Sequence, residues 1–191
     1  EASLTFLDAV IKEMKVWQSV GFAPIISINL PAPLFEDAEL MSYFISAVKH
    51  SGLPAGQFTF QLTEAALPSD VTVLLESMTR VRIAGLGLAL DDYGTGMANY
   101  DILRLCPFSE LKIDRSVAQA VVHDRLAGGF VESVLAFARD LDLRLVAEGV
   151  GRFVPELLHD LEPSGHVSMR SRVFCGSEPT GAISDARGNR R

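Results

Sequence analysis

Five polar residues could act together chemically, because each stands at the end of a short apolar run. They are Asn29, Gln61, Asp91, Lys112 and Glu148. The intervals between them are 32, 30, 21 and 36 residues, close to the length of one strand and helix unit. Since the carboxyl ends of parallel strands meet at one edge of a sheet, this spacing predicts a single shared site.

The residue types predict a site for a hard cation. Asn29, Asp91 and Glu148 offer oxygen ligands with no Cys or His at ligand spacing, which favours Mg²⁺ or Mn²⁺ over zinc. Asp92 follows Asp91 directly, and a divalent ion would relieve the repulsion between the two carboxylates and acidify bound water. Two such ions about 4 Å apart can hydrolyse a phosphodiester, and Lys112 would then lie beside the phosphate or the attacking water.

A purely structural explanation competes with this one. The acidic residues would cap helices, and Lys112 would form an ion pair with Asp91 or Asp92, since structural ion pairs also occupy strand ends. For any single residue the structural explanation is the stronger. For five successive strand ends it becomes the weaker account.

The elements that must position these side chains alternate between strands and helices. Short apolar runs predict strands over residues 24–30, 58–63, 86–92, 111–114 and 144–149, with a doubtful sixth near 167–174. Helical spacing of apolar residues predicts a helix after Ser3 and others over about 37–51, from Asp70, and near 97–104, 128–141 and 153–161. This alternation predicts an α/β fold with a parallel sheet.

Two architectures fit the alternation, an open doubly wound sheet and a closed (β/α)8 barrel. An open sheet uses chiefly the strands beside its switch point, whereas a barrel brings every strand end to one site. Polar groups at five successive strand ends therefore favour the barrel. Because a complete barrel has eight strands, we expect an N-terminally incomplete TIM-type barrel whose missing units lie upstream of Glu1.

Composition narrows the classes of function. The 191 residues are 48% hydrophobic and carry a net charge of −7, from 17 basic and 24 acidic residues, which argues against a DNA-binding protein. No apolar run reaches the roughly 18 residues of a membrane span. With two cysteines and no secretion signal, we expect a cytoplasmic location. Cys106, which has no evident His partner, is interpreted as a small buried apolar residue.

The last part of the chain differs in composition from the rest. Residues 165–191 carry five Arg against one Glu and one Asp, a net charge of +3, which leaves −10 for residues 1–164. They show neither a helical nor a strand period. We therefore interpret 1–164 as the domain and 165–191 as a divergent, mobile tail.

The motifs resemble those of EAL domains in order and spacing throughout residues 1–150. Residues 91–96 read DDYGTG, 111–116 read LKIDRS and 147–150 read AEGV, against the family's DDFGTG, LKIDRSF and AEGVE. Residues 27–30 read SINL against SVNL, and 61–64 read QLTE against E-x-T-E. The resemblance implies a (β/α) barrel that hydrolyses cyclic di-GMP to linear pGpG with two Mg²⁺ or Mn²⁺ ions, as the output module of a bacterial signalling protein.

The resemblance also implies a role for each site residue. Asn29, Asp91 and Glu148 would bind metal, together with the residue at position 61. Asp92 would hold the second ion, and Lys112 would help to position the attacking water.

The loop after the two aspartates has an implied role as well. Glu64 would steady this loop, which contains Tyr93, Gly94, Thr95 and Gly96 and would link the metal site to a dimer interface. The partners implied by the resemblance are cyclic di-GMP, a second copy of the chain, and an upstream regulatory or receiver-type domain.

Three departures from the family pattern predict impaired hydrolysis. The Glu-Ala-Leu triplet, whose Glu binds metal in the family, does not occur in the chain. Gln61 replaces the first Glu of E-x-T-E, and its amide oxygen can bind a cation but brings no charge, so ions would be held more weakly. The family's Q-G-Y/F segment is expected near residue 168, where residues 166–174 read HVSMRSRVF.

Two other functions stay open. A degenerate EAL module would bind the nucleotide or a protein partner without cleaving it, which Gln61 favours. An unrelated acid-lined barrel, such as an enolase-type enzyme, would hold Mg²⁺ on carboxylates and use Lys112 as the base. The Gly-Thr-Gly loop after two aspartates argues against the enolase-type enzyme.

Overall fold

A computed structural model describes residues 2–96, 100–121, 123–148 and 167–170. Its strands form one parallel sheet, in which each strand lies beside its neighbour in the sequence. The strands are β1 (Ile26–Asn29), β2 (Phe58–Thr63), β3 (Gly87–Tyr93), β4 (Glu110–Ile113), β5 (Arg144–Glu148) and β6 (Val167–Arg170). This order is that of a barrel wall, because a doubly wound sheet reverses its strand order at a switch point.

Helices follow the strands along the chain. They are α1 (Ala2–Ser19), α2 (Ala32–Glu36), α3 (Ala38–Ser51), α4 (Leu75–Ile83), α5 (Tyr100–Leu105), α6 (Arg115–Ala120) and α7 (Arg125–Asp140). Single turns of 3₁₀ helix occur at Ala55–Gln57, Glu64–Ala66 and Val71–Leu74. Aspartates cap the N-termini of α3, α6 and α7, where a side-chain oxygen accepts backbone N–H bonds. Within the described ranges, no helix combines the length and the apolar character needed to cross a membrane.

The sheet separates an apolar layer from a polar one. On β2, Phe58 and Phe60 are fully buried, and the Phe60 ring meets Phe44 of α3 edge to face, with 6.0 Å between the ring centroids. The alternate residues Thr59 and Gln61 are buried as well, and strand alternation directs them to the opposite face of the sheet. The predicted site therefore lies on the polar face, while the helices pack against the apolar one.

The α/β fold with a parallel sheet is confirmed, and each of the five predicted strands is present. The helix predicted over 37–51 is present as α3, and α2, which precedes it, was not predicted. β1 ends at Asn29, and Pro31 and Pro33 lie at the start of α2, where a helix does not need the N–H groups that proline lacks.

The doubtful sixth strand predicted near 167–174 is present as β6. The backbone of Val167–Arg170 pairs in parallel with Leu145–Glu148 of β5. Backbone hydrogen bonds add a strand at a sheet edge without requiring an apolar set of side chains. The other residues of 165–191, and the helix predicted at 153–161, lie outside the described residues.

Cys106 directly follows α5 and is 3% exposed, and burial raises the pKa of its thiol to about 11. Because the thiolate is the reactive form of cysteine, we expect Cys106 to react with an aromatic disulfide reagent only when the protein unfolds. The test is the rate of thiol modification against urea concentration in a Cys175→Ser variant, in which Cys106 is the single thiol. Rapid modification of the folded variant would contradict the buried position.

Candidate functional site

Polar side chains from three neighbouring strands meet at the carboxyl ends of β1, β2 and β3. Asn29 and Gln61 are register partners, and the Gln61 carboxamide connects them to Asp91. Its Nε2 donates to Asp91 Oδ2 at 2.9 Å and also to Asn29 Oδ1. Gln61 and Asp91 are buried while Asn29 is exposed, so the cluster opens to solvent on the side of Asn29.

Lys112 of β4 joins the same cluster. Its Nζ lies 3.5 Å from Asp91 Oδ1, and both side chains are less than a tenth exposed. The Asp92 backbone N–H also donates to Asp91 Oδ1, at 3.1 Å. The ion pair foreseen by the structural explanation therefore exists, and it lies within the predicted site.

A β-bulge shapes the end of β3. Leu90 pairs with Leu111 and Tyr93 pairs with Ile113, so β3 carries one residue more than β4 between these two pairs. Asp92 adopts the left-handed conformation with φ of 57°, which a bulge can impose on a short polar residue. The bulge changes the direction of the chain directly after Asp91, where the strand leads into the loop.

Glu64 holds the loop in place. Its Oε2 accepts the backbone N–H groups of Gly94, Thr95 and Gly96 at 2.9, 3.0 and 2.7 Å. A Cβ at Gly96 would lie 2.9 Å from the Glu64 Cδ, so glycine is required for this approach. Burial raises the pKa of Tyr93, and the negative charge of Glu64 adds to the effect. The contact between Glu64 and the loop is the one that the resemblance implies.

The other side of the loop faces α6 and α7. Tyr93 stacks on Phe130, with 5.9 Å between the ring centroids. Beside this pair lies a groove of about 330 Å³ whose lining includes Gly94, Val117 and Leu126. The Leu126 side chain is 83% exposed. Sequence analysis did not predict this groove, because its lining comes from three segments that no motif connects.

A buried ion pair extends the polar interior and was also missed. Glu110 is 1% exposed and pairs with Arg144, its register partner on β5. In the described part of the chain, Glu110 Oε1 has no hydrogen-bond partner. The signal was available in the sequence, because Glu110 stands two residues before Lys112 and Arg144 four before Glu148. In a strand, such spacing places both residues on the face of the predicted site.

The ligand types fit a hard cation, but the arrangement of Gln61 does not favour one. Asn29 and Asp91 supply oxygens of the kind that Mg²⁺ and Mn²⁺ prefer. Yet the Gln61 amide N–H group contacts the same oxygens. Among the described residues, no three His, Cys, Asp or Glu side chains are grouped to share an ion. Glu148 ends β5 beside β4, and its side chain lies outside the described ones.

The sequential parallel sheet and the acidic, amide-containing cluster at its strand ends define an α/β protein of the (β/α)-barrel type. The sequence model of the EAL domain family matches residues 1–153 of the chain. The chain therefore belongs to the EAL domain family, as the resemblance of its motifs predicts.

Two similar proteins are enzymes of cyclic di-GMP from Pseudomonas aeruginosa. The chain is 32% identical over 145 residues to the Pseudomonas aeruginosa bifunctional diguanylate cyclase/cyclic di-GMP phosphodiesterase MucR, covering 75% of this chain and 21% of MucR. It is 40% identical over 98 residues to the cyclic di-GMP phosphodiesterase RocR of the same organism, covering 51% of this chain and 25% of RocR. The chain thus spans about a quarter or less of the length of these relatives.

Solved structures share the fold. The PaMucR phosphodiesterase in its c-di-GMP complex has a TM-score of 0.73 at 32% identity, covering 81% of this chain and 64% of that structure. A manganese and cyclic di-GMP complex of Klebsiella pneumoniae BlrP1 has a TM-score of 0.65 at 22% identity, covering 76% of this chain and 38% of that structure. At that identity, the BlrP1 likeness concerns the fold alone.

Proposed function

We propose that this EAL domain binds cyclic di-GMP at its strand-end cluster, and that its hydrolysis of the nucleotide to pGpG is impaired. The observation that carries the proposal is the meeting of Asn29, Gln61, Asp91 and Lys112 at one edge of the sheet, where the EAL motifs stand. MucR and RocR are named as phosphodiesterases of this nucleotide.

Each side chain has a proposed role. If the domain takes up Mg²⁺ or Mn²⁺ as the family motifs imply, Asn29, Asp91 and Glu148 would hold one ion and Asp92 would be a ligand of a second. Such ions would supply an acidified water for attack and charge stabilisation at the phosphate. The Lys112 Nζ lies 3.5 Å from Asp91 Oδ1, from where it can orient an anionic phosphate or a water molecule.

The impairment follows from Gln61. A neutral amide contributes no negative charge to a cation site, so ions are held more weakly than by a carboxylate. If hydrolysis is lost altogether, the domain acts as a receptor that binds the nucleotide without cleaving it. The Gln61 contacts to Asn29 and Asp91 favour this second function.

The domain is further proposed to act as a homodimer in the cytoplasm, downstream of a regulatory or receiver-type domain. The groove between the loop and α7 supports the dimer, because Leu126 exposes an apolar side chain beside Phe130.

We expect Leu126→Glu to shift the protein towards monomer in sedimentation velocity. Ile83→Glu on α4, where the native side chain is 81% exposed, is the matched control and should not.

Calorimetric titration with cyclic di-GMP tests the binding function. We expect saturable binding that Lys112→Met weakens by about tenfold, since a charge-assisted contact to phosphate is lost. The matched control is Lys49→Met, which removes an exposed ammonium on α3 and should leave the Kd unchanged. Equal binding by both variants, or no binding by the unmodified chain, would refute the proposed site.

A further inference from the structure

The Gln61 carboxamide occupies the position at which a cation would have to bridge two oxygens. Its Nε2 carries two N–H groups, and one oxygen of Asn29 and one of Asp91 each accept from it. A cation that binds these two oxygens would need the lone pairs that now accept from the Gln61 amino group. The cation and the amino group therefore exclude each other. The carboxamide is buried.

The charge of Asp91 is already balanced without an ion. The Lys112 ammonium lies 3.5 Å from Oδ1, the Asp92 N–H donates to the same oxygen, and the Gln61 amino group donates to Oδ2. Both carboxylate oxygens therefore have partners in the cation-free form. These contacts supply the hydrogen-bond and charge partners that a buried carboxylate requires.

The carbonyl oxygen of the Gln61 carboxamide could bind a cation only after the amide group rotates. In the described part of the chain, Gln61 Oε1 is buried and has no hydrogen-bond partner. Half a turn of the amide group would present Oε1 to Asn29 and Asp91, and three oxygens would then face a cation. The same rotation would break both N–H bonds of the present arrangement, so cation binding competes with those bonds.

We propose that Gln61 is a positioning residue that takes the place of a cation, so that Asn29 and Asp91 keep their arrangement in the absence of metal. A carboxylate at position 61 could not do this, because it would lie against Asp91 with no N–H group to donate. The two carboxylates would repel each other or share a proton, and a divalent ion would relieve both conditions. The inference concerns the site of the proposed function, but it does not depend on the nucleotide.

Thermal unfolding in EDTA and in millimolar Mn²⁺ tests the inference on the intact chain. We expect the Tm of the unmodified chain to be the same in both buffers to within about 1 °C. We expect Gln61→Glu to lower the Tm in EDTA by about 5–10 °C and Mn²⁺ to restore most of the loss. Gln18→Glu makes the same change at an exposed position of α1. Its Tm should equal that of the unmodified chain in both EDTA and Mn²⁺.

Direct Mn²⁺ binding, followed by electron paramagnetic resonance, covers the case in which Gln61→Glu does not fold in EDTA. This variant, purified in Mn²⁺, should bind the ion at least about tenfold more tightly than the unmodified chain, because it adds a charged ligand. A large Mn²⁺-dependent rise in Tm for the unmodified chain, or equal Mn²⁺ affinities of the two proteins, would overturn the proposal. Neither readout uses cyclic di-GMP, so a failure here is distinct from a failure of the proposed function.

Discussion

Replacing Glu64 by Ala is expected to lower the free energy of unfolding by about 3 kcal/mol and to free the loop that contains Gly94, Thr95 and Gly96. The carboxylate accepts three backbone N–H groups, and a hydrogen bond to a charged group contributes about 1.5–3 kcal/mol. The total is less than the sum of three such bonds, because water can reach the exposed loop and replace part of the loss.

Urea unfolding and amide hydrogen exchange together measure the Glu64 effect. Glu64→Gln is the matched control, because it keeps an acceptor oxygen of the same reach and removes only the charge. We expect it to lose about half as much stability and to keep part of the protection of the loop amides. Unchanged exchange at Gly94 to Gly96 in Glu64→Ala would show that the carboxylate does not hold the loop.

The second large effect is expected for Arg144→Met, which removes the positive charge beside the buried Glu110. Breaking a fully buried ion pair from one side costs about 3–5 kcal/mol. Since the Arg144 side chain is 38% exposed, solvent screens part of the interaction, and we expect a loss of about 2–3 kcal/mol.

A double-mutant cycle separates this charge effect from the loss of packing. In Glu110→Gln the buried group is neutral, so adding Arg144→Met to this variant should cost less than about 1 kcal/mol more. The measurement is the free energy of unfolding of the three variants in urea. Equal costs of Arg144→Met in both backgrounds would contradict a role for the pair.

Motif spacing was sufficient to predict the fold and the meeting of four candidate residues at one edge of the sheet. The strand ends are the positions where a parallel sheet must gather its polar groups, so Asn29, Gln61, Asp91 and Lys112 could be placed together from the sequence. The alternation of apolar and polar residues along a strand predicts which face of the sheet each side chain occupies. The same alternation places Glu110 and Arg144 on the face of the site, because each is separated from a motif residue by an even number of positions.

Local backbone geometry could not be predicted in the same way. The bulge at Asp92 depends on pairing with β4, a contact that no local pattern encodes. The start of α2 depends on whether Pro31 ends a strand or caps a helix, and both are compatible with proline. The direction of the Gln61 amide depends on which neighbours accept its N–H groups, which only the assembled cluster decides.

The most direct test of the whole account is chromatography of cyclic di-GMP after incubation with a saturating amount of the intact chain in Mn²⁺. We expect the nucleotide to be recovered intact, with pGpG no higher than in a protein-free sample, although calorimetry on the same mixture shows it bound. Sustained, EDTA-sensitive conversion to pGpG by the unmodified chain would contradict the account, because Gln61 would then not impair hydrolysis.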